Sequence, residues 1–577
     1  VKLRVEERGM PWGHILCARA WRSGRVGDAV LDDLDLSRIT DPEARRVLGV
    51  LLQLVERQAA QIALLKAENQ RLRDENNRLK GEQGKPTILA NKRREAVDHS
   101  SERERRAAPQ AWQKAAKLPQ LRIDRTEDRR VDRGSLPEDA QFKGYAEVVV
   151  QDLALRTDTI LFRCERWYSP GLHESYQAPL PDGYHGQFGP GVAALGLYLC
   201  YQANMSQAKL LELFGSVGLS MSAGHLASLL TEQPGLAAEY DAIGRAALAS
   251  SRYQHLDETP TRVAGVEEHC HVLDSPLATV YRTTPGKDRQ AAIDVLRLGG
   301  LRCFQFNLHA WAYLAEVPLS VATRASLVAW PQGVDLDEAT FLGLLQTHLP
   351  KLGEQQRRQI MDAAAIGAYR VQHDVPVVET LVVDDAPQWK GITADRALCW
   401  VHEGRHYTKL DPCVPAHRQL LDDFRRDFWD YYRELAAYRE QSRASEAARL
   451  SLAFDALFRR QTGYAALDER IAKTRAKKAA LLRVLDHPEL PLHNNPAELG
   501  ARRRVRKRDA SFGARSPAGI RAWDCCHTII ATAQKLGVNV LHYLQDRLSA
   551  AHHLPPLADL IAQRAAQSRS IIDSAAA

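Results

Sequence analysis

The feature that most constrains the fold is a heptad repeat between residues 48 and 79. Apolar residues recur there at alternating spacings of three and four over nearly five heptads, which is the pattern of a coiled-coil seam. Asn69 and Asn76 occupy two of the a positions, where asparagine favours one register and two strands. We therefore predict that this helix joins two chains as a parallel homodimer. The alternative is a long amphipathic helix that packs on its own chain.

The bulk composition is that of a soluble globular protein with locally concentrated positive charge. The chain has 577 residues, 45% of them hydrophobic, and a net charge of +7. This length predicts several domains. Basic residues cluster at Lys92–Arg106 and at Arg502–Arg508, which suggests contact with a polyanion, with a solvated, disordered arm as the more usual alternative. No CxxC pair supports a zinc ribbon or a disulfide framework. We expect no membrane contact and a prokaryotic cytoplasmic location, at the nucleoid when the protein is bound to DNA.

Changes in composition and periodicity divide the chain into nine segments. In order, we predict an N-terminal extension of unknown structure (1–40), the coiled-coil helix (41–82), a basic linker (83–140), a small β region (141–180), a helix-turn-helix-like DNA-binding region (181–248), the first part of an α/β core with an internal helical segment (249–410), a helical insertion domain (411–490), the C-terminal part of the core (491–550) and a tail (551–577).

Two of these segments rest on short local patterns. The small β region is predicted from the alternating runs AEVVVQDLAL and TILFRCERWYS. The helix-turn-helix reading rests on MSQAKLLELFGSVGLSMSAGHLASLL, with Ser220 or Ser222 as the cap of its second helix. Two packed helices joined by a glycine turn, without any DNA contact, are the alternative.

Four acidic residues stand where an α/β core could carry chemistry. Three β-rich runs, a helix and two further strands are the parts of a ribonuclease H-like core. Asp257 lies in the first run, Asp384 and Asp385 end the apolar strand LVVDD, and Glu498 precedes the second basic cluster. Converging carboxylates repel one another unless a cation lies between them. They therefore predict a Mg²⁺ site, in which two ions can activate a water or a DNA 3′-hydroxyl.

Alternatives remain open at both ends of this acidic set. Neighbouring residues of a strand point to opposite faces, so only one of Asp384 and Asp385 is expected to bind metal. Glu498 could instead close a capping box, with Asn495 as the N-cap. His402 is a further residue that could approach the site, although packing is the more common role of such a histidine. The basic run after Glu498 predicts phosphate contacts by Arg502, Arg503, Arg504, Arg506, Lys507 and Arg508.

At this point the chain resembles the DDE-type transposases of the insertion sequence 66 family. The matching stretches are QHLDETPTRV, HCHVLDSPLATVYRTTPGKDR, LVVDDAPQW, ALCWVHEGRH and LHNNPAELGARRRVRKRDASFGARSPAGIRAWD, and the resemblance covers roughly residues 140–548 in order. The family's acidic triad maps onto Asp257, Asp384 and Glu498. Asp384 is favoured over Asp385 because its spacing to Trp389 matches the family pattern. The chain departs from many relatives in lacking a cysteine-rich segment after the coiled coil.

The resemblance implies a ribonuclease H-like catalytic domain that depends on Mg²⁺, with Mn²⁺ as a substitute. It also implies cleavage at the ends of a mobile element and strand transfer into double-stranded target DNA, by a homodimer or a higher assembly on DNA. Two other readings stay open. One is a non-catalytic dimeric DNA-binding protein derived from a transposase, and the other is an RNA-cleaving nuclease on the same fold.

Overall fold

The computed structural model describes residues 40–81, 122–153, 155–184 and 186–576. The predictions made for the N-terminal extension, for the basic cluster at Lys92–Arg106 and for most of the linker lie outside these residues.

A five-stranded mixed sheet forms the centre of the fold. Its strands are β3 (Tyr253–Val263), β4 (Val266–Asp274), β5 (Thr279–Thr284), β8 (Thr380–Val383) and β9 (Asp395–Leu398), in the spatial order β5-β4-β3-β8-β9. β3, β4 and β5 are antiparallel neighbours, whereas β8 and β9 run parallel to β3. Ala264 and Gly265 close the β3–β4 hairpin with positive φ at both positions, as a type I′ turn requires. The predicted α/β core is confirmed.

Helices occupy the chain between β5 and β8 and pack on the sheet. This segment contains α6 (Arg289–Leu296), β6 (Cys303–Phe304), α7 (Leu308–Ala315), α8 (Val321–Val328), β7 (Leu336–Asp337), α9 (Glu338–His348) and α10 (Glu354–Val371). β6 and β7 pair as a small antiparallel sheet. Together with the helices before and after the sheet, these elements bury one large apolar cluster, which we call the main core.

A second apolar cluster lies in the helices that follow β9. These are α11 (Trp400–Thr408), α12 (Pro415–Glu440), α13 (Ala444–Phe458), α14 (Ala465–Arg475), α15 (Lys478–Leu481) and α16 (Arg483–Asp486). Their buried faces are rich in aromatic side chains, among them Trp400 and Phe428. We call α12 to α16 the helical layer.

The last helices return to the sheet. They are α17 (Asn495–Ser511), α18 (Pro517–Lys535), α19 (Val540–Leu548) and α20 (Leu557–Ala576). α17 crosses β3 and β4, and α18 lies against β5. A Cβ on Gly500 would lie 2.6 Å from Cγ1 of Val272 in β4, so only glycine permits so close an approach at this point. This contact fixes α17, and with it Glu498, against the sheet.

Four helices precede β3: α2 (Pro190–Leu197), α3 (Gln207–Ser216), α4 (Ala223–Thr231) and α5 (Pro234–Ser250). α3 and α4 are two helices joined by a short connection in the stretch where a helix-turn-helix was predicted, and Ser222 caps α4 by accepting a hydrogen bond from the amide of His225 (3.1 Å). Phe214 and Leu226 bury this pair in the main core. α4 carries no lysine or arginine. DNA binding by these two helices therefore stays a prediction. The contacts that the structure describes for them are packing contacts in the main core.

The small β region is shorter than predicted. It consists of an exposed hairpin, β1 (Arg166–Ser169) and β2 (Glu174–Gln177). Only the end of the run TILFRCERWYS is a strand, and the described residues of AEVVVQDLAL form none. The strand predicted for AEVVVQDLAL is wrong, because alternation alone does not make a strand without a neighbouring strand to pair with. Val148 and Val150 are accordingly exposed.

The predicted coiled-coil segment is a single helix, α1 (Pro42–Leu79). Val55, Ile62, Leu65 and Leu72 of its seam are exposed in the single chain. Next to this seam, Glu56 accepts hydrogen bonds from the backbone amides of Cys413 and Val414, directly before α12 (3.0 and 2.8 Å). Among the described residues, α1 is also the one helix that is long and apolar enough to cross a membrane by length and composition. Its contacts with α12 are those of a helix that packs on protein.

Candidate active site

The first two predicted acids lie at the same level of neighbouring strands. β3 and β8 run parallel, and their pairing sets His255 beside Val382. Two residues further along each strand come Asp257 and Asp384, the second of them directly after β8 ends. Residues that lie opposite each other in a parallel pair point to the same face of the sheet. The register thus brings Asp257 and Asp384 together on one face.

The two adjacent aspartates point to different surroundings. Asp384 is half-buried, and its Oδ1 accepts hydrogen bonds from the amide of Ala386 (3.1 Å) and from the indole N–H of Trp389 (2.7 Å). Asp385 is exposed and pairs with Lys477 of the helical layer (2.9 Å). The contact with Trp389 gives a physical reason for the spacing that favoured Asp384. Asp385 contributes instead to the junction with the helical layer.

Glu498 reaches the same face of the sheet from the first turn of α17. The N-cap of this helix is Asn494, whose side chain makes no capping bond. It instead donates to the carbonyl of Leu256 (2.9 Å) and contacts the ring of His255 (2.9 Å). These two bonds fasten the start of α17 to β3 directly before Asp257. They are the local reason why Glu498 meets the aspartates.

The carboxylate of Glu498 has two different environments. Oε2 accepts a hydrogen bond from Arg405 at 3.2 Å. Oε1 is buried, has no hydrogen-bond partner among the described residues, and lies 3.7 Å from Nδ1 of His402. A capping box would require the carboxylate to bond back to the N-cap amide. The capping alternative is therefore wrong, and Glu498 is directed towards the acids.

The acids lie close enough to repel one another electrostatically, which is seen in their pKa values. The pKa of Asp257 is raised to about 7, first by burial and then by the negative charges of Glu258, Glu498 and Asp384. The pKa of Glu258 is also raised to about 7, by burial and by Asp384, against the opposing charge of Lys287. Such shifts are typical of carboxylates that converge without a cation between them.

Glu258 is a fourth carboxylate near these acids, and its pKa responds to the charge of Asp384. Gln388, in the loop after Asp384, donates to its Oε1 at 3.1 Å. The sequence signal was present, since Glu258 is the neighbour of Asp257, but alternation along β3 argued against it. Glu258 therefore joins β3 to the loop that follows β8.

The basic run of α17 divides between the interior and the surface. Arg504 is fully buried and forms an ion pair with Asp524 of α18. Lys507 is buried as well, and its ammonium donates to the carbonyls of Cys200 (2.7 Å) and Met205 (3.4 Å). The prediction that these two side chains bind DNA is wrong. A helix packed on a sheet turns part of any continuous run inward, whatever its charge.

Two members of the run remain free to meet a ligand. Arg502 and Arg506 are exposed, one turn apart, and have no hydrogen bond or ion pair among the described residues. At about 100° per residue they lie about 40° and 80° around α17 from Glu498. Arg503 and Arg508 are half-buried and donate to groups of α18 and β3. The surface next to the acids is thus basic through Arg502 and Arg506.

Sequence reasoning missed Arg289, which supports the loop after Asp384. Its guanidinium donates to the carbonyls of Pro387 (2.6 Å) and Lys390 (3.0 Å) and pairs with the buried Asp362 (2.6 Å). These bonds hold both ends of the turn that carries Trp389. The partners lie 98, 101 and 73 residues further along the chain, so no local pattern could have revealed them.

Comparison with known proteins places part of this site in a defined family. The model of the Transposase IS66 family matches residues 372–522, which include Asp384 and Glu498 but not Asp257. The "Uncharacterized protein y4jO" of Sinorhizobium fredii (strain NBRC 101917 / NGR234) is 31% identical over 321 residues, which cover 56% of this chain and 99% of that protein. No solved structure matches the chain.

Proposed function

The chain belongs to the IS66 family of transposases and therefore acts on DNA, and from this premise we propose that it is a DDE-type transposase. It cleaves DNA at the ends of a mobile element and transfers the freed strands into a target. Asp257, Asp384 and Glu498 are its catalytic acids. The observation that carries the proposal is their convergence, since the β3–β8 register and the fastened start of α17 bring three carboxylates from distant segments to one face.

The sheet supports a ribonuclease H-like classification of the core. In chain order its strands are arranged 3-2-1-4-5, with the first three antiparallel and the last two parallel to the first. The first acid then lies in the first strand, the second acid directly after the fourth, and the third acid on a helix that crosses the first two strands. The sequence predicted the strands and the positions of the acids along the chain, but not the order of the strands in the sheet.

The residues present fit Mg²⁺. Mg²⁺ prefers carboxylate oxygens and keeps positions open for water and phosphate. Oε1 of Glu498 is buried without a hydrogen-bond partner among the described residues, and the pKa of Asp257 is raised by burial and then by the surrounding acids, so a divalent ion would stabilise these carboxylates. Asp257, Asp384 and Glu498 would hold the ion, and Mn²⁺ would be accepted by the same oxygens. When bound, the metal supplies Lewis-acid activation of a water or 3′-hydroxyl and neutralises charge on the phosphate.

The chain's own groups position these acids and the DNA. Trp389 and the amide of Ala386 hold Asp384 in one orientation, and Arg289 holds the loop that carries them. Arg502 and Arg506 lie beside the acids and contact the DNA backbone. Two exposed arginines one turn apart suit phosphates, because they donate several hydrogen bonds without any internal partner to give up.

We propose that the protein works as a homodimer on double-stranded DNA. α1 supplies the dimer contact through its exposed seam, and a higher assembly forms when two element ends are brought together. The exposure of Val55, Ile62, Leu65 and Leu72 supports this seam, because apolar residues on one stripe of a 38-residue helix otherwise face water. The proposed setting is the prokaryotic cytoplasm, with the protein at the nucleoid when bound to DNA.

Cleavage of labelled duplex DNA tests the catalytic assignment. The substrate carries the DNA that flanks the gene, and the assay contains Mg²⁺. Asp384→Asn should abolish cleavage, whereas Asp385→Asn, the matched neighbour that pairs with Lys477, should be much milder. Glu498→Gln should slow cleavage by orders of magnitude while metal-free DNA binding survives, because it removes a ligand charge and keeps the shape. Wild-type cleavage by Glu498→Gln would remove the third acid from the proposal and leave the non-catalytic DNA-binding alternative in its place.

A further inference from the structure

Three different metal-ligating groups meet beside the acidic site. Cys399, His402 and Glu498 each offer one ligand atom, and these atoms all lie within 4.8 Å of one another. Cys399 comes directly after β9 and is the N-cap of α11, His402 lies in the first turn of that helix, and Glu498 lies in the first turn of α17. The C-x-x-H spacing at a helix start places the sulfur and the imidazole on one side of α11.

The sulfur of Cys399 has two contacts that favour a thiolate, although burial raises the pKa of its thiol to about 11, so the thiolate would form only together with a bound cation. The side chain is buried, and its Sγ accepts a hydrogen bond from the backbone amide of Asn494 at 3.2 Å. It also lies at the N-terminus of α11, where the free N–H groups and the helix dipole favour negative charge. A cysteine that only fills space would need neither feature.

The two other groups present buried polar atoms without partners. Nδ1 of His402 and Oε1 of Glu498 make no hydrogen bond among the described residues and lie 3.7 Å apart. Buried donors and acceptors are normally satisfied. A separation of 3.7 Å is too long for a hydrogen bond but close to the distance between two ligands of one tetrahedral ion, about 3.3–3.8 Å for bonds of about 2.0–2.3 Å.

From these observations we propose that Cys399, His402 and Glu498 form a cation site of the zinc class, next to the carboxylate Mg²⁺ site and sharing Glu498 with it. A sulfur, a nitrogen and an oxygen are the donors that Zn²⁺ accepts together, whereas Mg²⁺ takes oxygen alone. Only the shared role of Glu498 rests on the proposed function. Binding of the zinc-class ion does not.

Arg405 contacts the two atoms of these side chains that are not directed at the proposed ion. Its guanidinium donates to Oε2 of Glu498 (3.2 Å) and lies 2.9 Å from Nε2 of His402. Ligation through Nδ1 requires the ring proton to stay on Nε2, and that proton cannot lie against a donor of Arg405. The ion and Arg405 therefore compete, and removal of the arginine should strengthen metal binding.

Titration of the full-length, reduced chain with Co²⁺ tests the site in the absence of DNA and Mg²⁺. Co²⁺ is the probe because a thiolate bound to it absorbs in the near ultraviolet, which carboxylate binding does not produce. We expect one equivalent to give this band and Zn²⁺ to remove it. Cys399→Ser should lose the band, and Cys413→Ser, a half-buried cysteine outside the cluster, should keep it. Absence of the band in the wild type, or its survival in Cys399→Ser, overturns the proposal.

Two variants at partly exposed positions keep the test decisive if Cys399→Ser does not fold. His402→Gln should weaken Co²⁺ binding at least tenfold, and Arg405→Gln should tighten it. Equal affinities in both variants and the wild type would overturn the three-ligand site. Asp384→Asn, which the proposed function makes inactive in cleavage, should bind Co²⁺ as the wild type does. The cleavage assay therefore tests the catalytic assignment, and the Co²⁺ titration separately tests the zinc-class site.

Discussion

Arg504→Gln separates the two roles that a basic run on a helix can have. The sequence predicts that Arg504 contacts DNA, whereas in the structure its side chain lies in the protein interior. Its side chain is fully buried and pairs with Asp524, which also accepts bonds from the amide (2.8 Å) and the hydroxyl (2.9 Å) of Thr283. The substitution removes the cation and leaves the carboxylate buried. We expect a stability defect and no specific change in DNA affinity.

The size of the defect follows from this geometry. Removal of one partner of a buried ion pair costs about 3–5 kcal/mol, because the other charge stays uncompensated. Thr283 retains two hydrogen bonds to Asp524, which places the expected loss at the lower end of that range. A loss of about 3 kcal/mol lowers Tm by about 6–12 °C for a cooperative unit of about 150–250 residues. Gln is also shorter than Arg and leaves the ring of Tyr281 without its cation, whereas the ring of Trp523 keeps Lys507.

Arg502→Gln is the matched control, since the same substitution is made half a turn earlier on the same helix. Arg502 is exposed and has no partner among the described residues, so its stability should change by less than about 0.5 kcal/mol. If it contacts one phosphate, the slope of log K against log salt should become shallower by about 0.9.

Urea and thermal unfolding measure the first effect, and salt titration of binding to a short DNA duplex measures the second. The reasoning is refuted if Arg504→Gln unfolds like the wild type and flattens the salt slope as Arg502→Gln does. That result would mean that Arg504 contacts DNA and that its ion pair with Asp524 does not form in the folded protein. A double replacement of Arg504 and Asp524 by apolar residues should recover most of the stability, because no unpaired charge then remains.

Three further outcomes are expected. Leu65→Glu with Leu72→Glu in the full chain should convert a dimer into a monomer by light scattering, and an unchanged mass would place the dimer contact elsewhere than α1. Without metal, the carboxyl of Asp257 keeps its proton in the folded state up to a pH of about 7, whereas the unfolded state loses it near a pH of about 4, so stability should fall as pH rises between these values. Urea unfolding midpoints measured over a pH series should show this fall, Asp257→Asn should flatten it, and Mg²⁺ should stabilise the wild type more at pH 8 than at pH 5. Gly500→Ala should reduce the rate of cleavage strongly, because its Cβ would lie 2.6 Å from a side-chain atom of β4. Gly343→Ala, in a helix with open space around the glycine, should leave cleavage unchanged and leave stability unchanged or higher. Equal cleavage by both variants would show that α17 can shift without moving the third acid.

The sequence by itself determined the elements whose signal is local. The heptad predicted α1, the apolar run before Asp384 predicted β8, and the alternation around Asp257 predicted β3, because periodicity and an uninterrupted apolar run depend only on neighbours along the chain. The order of strands and helices then indicated the α/β core. The same local rule failed for AEVVVQDLAL, where alternation was present but no neighbouring strand lies among the residues that the structure describes.

The tertiary structure alone decided which members of each local pattern face the site. A run of six cations looks uniform in sequence, yet packing of α17 on the sheet buries Arg504 and Lys507 and leaves Arg502 and Arg506 in water. Glu498 matched a capping box equally well, until Asn494 was found bonded to β3 instead of capping the helix. These outcomes depend on partners distant in sequence, and the direction in which a helix turns its faces is set by what it packs against, not by its own composition.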